Sequence, residues 1–187
     1  VALGTTGLAY SRNHLAARYE GVPLKQGAQI LNAKALVTPT NTKSGTQTST
    51  VTFEDVDNSG EFTTNRYGIS VRKDTANPAS CGFGTSDGGW VSDQPVTCDA
   101  DNLRAGLQSV ISRSGWKPGN ALSMFVNQSG DSDLTIASYE SNPSTSMRLR
   151  LKIKSGGVDA TSGNNVKNHL ISLVNNMSAS SGTPIVP

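Results

Sequence analysis

Charge and aromatic area are what this chain has least of. Only 16% of its 187 residues are Asp, Glu, Lys or Arg, and only 5% are Phe, Trp or Tyr. The 16 basic and 14 acidic side chains leave a formal net charge of +2, too small to draw the protein to nucleic acid, and no basic run stands out. No apolar stretch approaches the ~20 residues of a membrane-spanning helix, and no signal-peptide pattern is present. Zinc chemistry lacks a ligand set, since His14 and His169 stand far from the lone pair of cysteines. Neither histidine has a triad context, and no two carboxylates are singled out by apolar surroundings as a tuned acid and base. An enzyme is therefore the least expected class, and no cofactor is implied.

What is present points elsewhere. Gly, Ser, Thr and Asn are abundant while hydrophobic residues make up 35%, a profile that suits an extracellular β-rich protein. The length is enough for one domain, or one domain with an appendage. The missing initiator Met and the abrupt Gly182–Pro187 ending read as a fragment cut from a longer exported protein. Cys81 and Cys98 bracket a Gly/Ser/Asp-rich segment that contains Trp90, and a disulfide is the favoured reading in an exported chain. Closing a loop of that size adds on the order of 3 kcal/mol of stability.

The stretch around which the chain is organised runs from Asp99 to Val126. Asp99 and Asp101 can cap free N–H groups, and Leu103, Leu107, Val110 and Ile111 form one apolar stripe, which predicts a helix over about 101–113. Arg113 falls in its last turn, where a cation suits the helix dipole. Gly115 ends the helix, Trp116 reads as a core residue, Lys117–Asn120 as a turn and Ala121–Val126 as a buried strand.

Alternation predicts further strands at 14–20, 30–37, 48–54, 134–140 and 146–154, with residues 1–13 as an arm or edge. In 146–154, Met147, Leu149, Leu151 and Ile153 alternate with Arg148, Arg150, Lys152 and Lys154, and the basic side reads as a solvated sheet face. Asp55, Asp57 and Ser59 have the oxygen spacing that opens a calcium loop, but position twelve would be Arg66, so a polar turn is the preferred reading and no metal is expected. Residues 155–163 are linker-like, and Val166, Leu170, Leu173, Val174 and Met177 predict an amphipathic helix over about 164–177. Regularly spaced strands separated by turns predict an antiparallel jelly-roll-like β-sandwich over 1–155. The linker and helix at 156–187 are read as part of a flanking domain.

Two resemblances refine this picture. Gln26-Gly27-Ala28-Gln29-Ile30, Ile69-Ser70-Val71-Arg72, the helix with Gly115-Trp116-x-x-Gly119-Asn120-Ala121-Leu122, and Ala137-Ser138-Tyr139-Glu140 together resemble a bacterial extracellular β-sandwich module. The tail, a helix followed by Ser181-Gly182-Thr183-Pro184, is similar to the von Willebrand factor A region of PilY/PilC-type, type IV pilus tip-associated adhesins. That resemblance implies a metal-ion-dependent adhesion site to which Thr183 would contribute. The Asp-x-Ser-x-Ser segment that supplies its other ligands is absent here, so Thr183 alone is not expected to hold a metal.

The expected function is a non-enzymatic adhesion or assembly module at a pilus tip, extracellular and monomeric as a fragment. Its expected partners are pilus components or a cell-surface receptor or glycan. The competing expectation is a carbohydrate-binding module of a secreted glycan-active protein, with Trp90 as the exposed aromatic and Tyr10 and Tyr67 as further candidates.

Overall fold

Alternating apolar and polar side chains turn one side of each strand inward, and two antiparallel sheets form around those sides. The computed structural model describes residues 2–4, 7–11, 14–42, 47–62, 69, 71–83, 90–128, 135–136 and 146–159. In chain order the elements are β1 (Ala2–Gly4), β2 (Gly7–Ser11), β3 (His14–Tyr19), β4 (Ile30–Val37), β5 (Gln47–Phe53), β6 (Ala79–Phe83), β7 (Val96–Cys98), helix α1 (Asp101–Ile111), β8 (Leu122–Gln128) and β9 (Arg148–Ile153). One sheet runs β1-β9-β4-β7 and the other β2-β3-β8-β5-β6. Apart from the β2–β3 and β5–β6 hairpins, each strand hands the chain to the opposite sheet. That wrapping is a jelly roll, with β2 added at an edge.

The ends of the two sheet orders correspond. Strands β1 and β2, consecutive in the chain, are the edges on one side, and β7 and β6 are the edges on the other. Cys81 of β6 is bonded to Cys98 of β7, with their Cα atoms 5.3 Å apart. A covalent path therefore joins the sheets at both lateral edges, by backbone on one side and by the expected disulfide on the other.

Between the sheets the side chains are mostly small or aliphatic, with Ala33, Ala35 and Leu149 of one sheet and Ala17, Ala79, Val51, Met124 and Val126 of the other in one buried cluster. Helix α1 supplies the bulk these residues lack. It packs on β4 of one sheet and on β5 and β6 of the other, burying Leu103, Leu107, Val110 and Ile111. A Cβ at Gly106 would sit 3.2 Å from the Phe53 ring, so glycine lets the helix come this close to β5. Gln108 clamps the helix to the start of β4: its Nε2 donates to the Ala28 carbonyl at 3.0 Å, and its Oε1 accepts from Ile30 N at 2.9 Å. Free carbonyls at the helix end accept from the 26–27 turn, Ile111 O from Gly27 N and Arg113 O from Gln26 Nε2.

Trp116 closes the end of the sandwich, 1% exposed, with its indole N–H donating to the Leu24 carbonyl at 2.8 Å. The turn that follows is hydrogen bonded from Asn120 N to Lys117 O, and Gly119 has a φ of 95°, the left-handed region that favours glycine.

Several expectations need correction. The helix stops at Ile111, two residues before Arg113, and its N-cap is Ala100 with no side-chain cap. Asp99 instead binds Lys34 and Asn32 across the sheet edge. Strand β3 ends at Tyr19, one residue short of the expected range, and Ala16 on its outer side is as enclosed as Ala17 on its inner side. Residues 156–159, expected to begin a linker, are tied to the sandwich: Lys25 N donates to Gly157 O and Asp159 N to Pro23 O. The expected helix over 164–177 lies outside the described residues, as does most of the strand expected at 134–140, where Ile136 bridges to Pro39.

Two stability changes are expected. Replacing Cys81 and Cys98 together by Ala should lower unfolding free energy by about 3 kcal/mol, read by urea denaturation under non-reducing conditions. Trp116→Ala should cost about 3–5 kcal/mol by the same measurement, as removal of a large enclosed aromatic does.

Candidate functional site

The densest polar cluster lies where the loop after β5 meets the turn after α1. Asp55 Oδ1 accepts from Arg113 Nη1 at 2.6 Å and Asp57 Oδ1 from Arg113 Nε at 2.6 Å, while Lys73 Nζ lies 2.6 Å from Asp55 Oδ2. Having left the helix, Arg113 is free to reach both carboxylates, which the expected position in the last helical turn would not allow. The backbone of the loop is equally engaged. Asn120 Nδ2 donates to Asp57 O at 2.7 Å, Ala121 N to Asn58 Oδ1 at 2.7 Å, Ser59 N to Ala121 O at 3.0 Å, and Arg18 Nε to Ser59 O at 3.1 Å. A Cβ at Gly115 would lie 2.1 Å from Asp57 Oδ2, so only glycine admits the carboxylate there.

This arrangement decides what the Asp55–Gly60 segment can do. Both carboxylates face an arginine, Ser59 is buried, and Asp55 Oδ1 and Oδ2, Asp57 Oδ1 and the Asp57 and Ser59 carbonyls already have cationic or hydrogen-bonding partners. Among the described residues no three His, Cys, Asp or Glu side chains gather as a metal set. The segment is a docking turn that fixes β5, the helix end and β8 to one another. Beside it, Arg72 pairs with Glu54 at 2.9 Å, donates to the Gly60 and Glu61 carbonyls, and lies over the Phe62 ring.

Trp90 is the main correction to the expected ligand platform. It is 2% exposed, and its indole N–H donates to Asn41 Oδ1 at 2.9 Å. The same Asn41 oxygen accepts from Thr135 N, while Ser92 N donates to Thr42 Oγ1 and Asp93 N to Pro39 O. The ring thus anchors three loops at one end of the sandwich and offers no face to a sugar. Tyr10 is placed in the edge strand β2, paired opposite Leu15. Tyr67 and Thr183 lie outside the described residues. The Gly84–Gly88 segment has the letter spacing of a serine-nucleophile elbow. It too lies outside the described residues.

The two outer sheet faces differ. On the five-stranded sheet, the outward residues Ala16, Thr52, Ser123 and Phe125 are all buried. On the four-stranded sheet, the outward residues Arg150 and Lys152 are exposed and Arg148 and Lys34 are partly so. Around Arg150 and Lys152 the four-stranded sheet is therefore open and basic, while Leu36, outward on β4 opposite Arg148, is buried. The charge was visible in the strand alternation, but which outer positions are covered was not, because covering by other segments has no local signature.

No protein-family model matches this chain, and no curated protein matches it either. Among the described residues no helix is long and apolar enough to cross a membrane.

The ion cluster has a pH signature. Lys73, hydrogen bonded to Asp55, holds its carboxyl below the usual range, with Arg113 adding to the effect. A carboxylate held below its unfolded value contributes stability that is present above about pH 4 and lost as pH falls through the folded pKa. The Lys73→Ala/Arg113→Ala variant should therefore lose less stability than the parent between pH 6 and pH 3, compared by denaturant midpoints. Equal losses would show that the cluster does not act through Asp55.

Proposed function

We propose that this domain is a non-enzymatic adhesion or assembly module of a type IV pilus tip-associated protein, working outside the cell. The observation that carries the reading is the disulfide between facing sheet edges, which belongs in an oxidising compartment and rigidifies a scaffold with no converging reactive groups among its described residues. Supporting it further, the acids of the most polar loop are occupied by arginine and lysine, so the loop serves architecture. A jelly roll held in this way suits presentation of a surface under mechanical load. The tail resemblance to the A region of pilus-tip adhesins supplies the setting. Sugar binding by aromatic stacking loses its main support, because Trp90 is enclosed.

The test is made in cells that produce the parent pilus protein with residues 1–159 excised. Retained pili with lost surface attachment are the expected outcome, scored by electron microscopy and adherent-cell counts. Loss of the pili themselves would assign the module to assembly. Unchanged piliation and attachment would overturn the proposal.

A further inference from the structure

The outer face of the four-stranded sheet carries a row of cations with no carboxylate partner among the described residues. Among the described residues five cations are paired: Arg18 with Glu20, Lys34 with Asp99, Arg72 with Glu54, Lys73 with Asp55, and Arg113 with Asp55 and Asp57, whereas Lys25, Arg104 and Lys117, on other segments, enter none of these pairs. Arg148, Arg150 and Lys152 take part in none of these pairs, and neither does Lys154 just beyond the strand. Leu149 and Leu151, between them, are buried in the core, which fixes the three cations on the outward side of β9. Same-side residues of a strand recur about every 7 Å, so the charges form a straight, evenly spaced line.

The exposed members of that line are Arg150 and Lys152, and Arg148 is half-buried. Arg150 stands opposite Ala2 on one side and Lys34 on the other, Arg148 opposite Gly4 and the buried Leu36, and Lys152 opposite Asn32. Asp99 lies beyond Lys34 and is already bound by Lys34 and Asn32, so it does not neutralise β9. Arg148 Nε is shut off from solvent and donates to no acceptor, so packing confines its guanidinium instead of an ion pair. A confined fork loses less freedom on binding an oxyanion.

We propose that this face binds a linear anionic polysaccharide, with uronate or sulfate groups seated along Arg148, Arg150 and Lys152. This deepens the attachment reading above by naming a ligand class for it. The charge complementarity calls for a polyanion, and the geometry selects among polyanions. A flat sheet face does not enter a duplex groove as a helix or ribbon would. The outward positions of β4, β7 and β9 carry no aromatic side chain on which single-stranded bases could stack. A chain of repeating acidic sugars needs only a straight row of donors, and Arg binds carboxylate-like groups in bidentate fashion.

The test is titration of the purified full chain with size-defined heparin, with neutral dextran and an equally charged DNA duplex alongside. Saturable heparin binding that weakens with salt is expected, with none to dextran. Arg150→Ala/Lys152→Ala should weaken it about tenfold, two surface charges contributing a few-fold each. Lys25→Ala/Lys117→Ala, which removes two exposed cations elsewhere, should bind as the parent does. Both variants should melt as the parent does, since all four side chains are exposed. Absent heparin binding, or equal loss in the two variants, would overturn the proposal. Duplex DNA held as tightly as heparin would overturn the polysaccharide assignment. None of these results bears on whether excision of the module abolishes attachment, so the two proposals fail separately.

Discussion

Everything in this sandwich depends on keeping two sheets face to face with little bulk between them. A jelly roll pairs strands from distant parts of the chain, as β1 and β4 with β9, and each such closure orders a long loop. Alanines recur on the inward faces, and each contributes less buried area than a leucine would. The Cys81–Cys98 bond compensates by restricting the unfolded chain and by fixing the separation of β6 and β7. At the opposite edge the passage from β1 to β2 does the same with backbone alone. Helix α1 then fills the space between, which is why its packing on both sheets matters more than its own propensity.

The polar groups follow from that frame. Where α1 ends and β8 begins, the chain must turn sharply beside the loop leaving β5, and three backbone segments meet with unsatisfied donors and acceptors. Asn58, Asn120 and Arg18 satisfy them, and Arg113 draws the two acids of the loop onto the helix end. Because these side chains are partly exposed, the ion pairs themselves add little to stability. Their value is in register: they hold Ser59 N on the Ala121 carbonyl and Ala121 N on Asn58 Oδ1, and so set where β8 starts. Trp90 has the same role at another loop cluster, since an enclosed indole finds its hydrogen-bond acceptor in Asn41.

Local chemistry was legible in the sequence, and tertiary placement was not. Strand patterns located β3, β4, β5 and β9 to within a residue or two, an apolar run located β8, and the stripe of Leu103, Leu107, Val110 and Ile111 located α1. Trp116 read as core because a helix, a turn and an apolar strand crowd around it. The jelly-roll class came from strand spacing, and the disulfide from cysteine count and composition. Trp90 misled because its neighbours are Gly, Ser and Asp, which say nothing about Asn41, far away in the chain. Asp99 looked like a helix cap for the same reason: Lys34 becomes its neighbour only once β4 pairs with β7. Arg113 was placed on the helix dipole because its real partners lie across the sandwich at Asp55 and Asp57.

Charge is scarce in this chain, so where it is left without a partner is informative. Most ion pairs among the described residues connect segments that the fold brings together, and such pairs set register. On β9 the cations serve no register that a neutral polar side chain could not, because Leu149, Leu151 and the β4 ladder already fix the strand. A solvated edge would be protected against unwanted pairing by lysine, but β9 is internal to its sheet, with β1 on one side and β4 on the other. Neither folding nor edge protection therefore requires Arg148, Arg150 and Lys152 in one line. The opposite sheet is covered at Ala16, Ser123 and Phe125, and its one outward arginine among the described residues, Arg18, is largely enclosed and paired with Glu20. Among the described residues, the basic outer side of the centrally placed β9 is a composition that strand pairing and core packing leave unexplained.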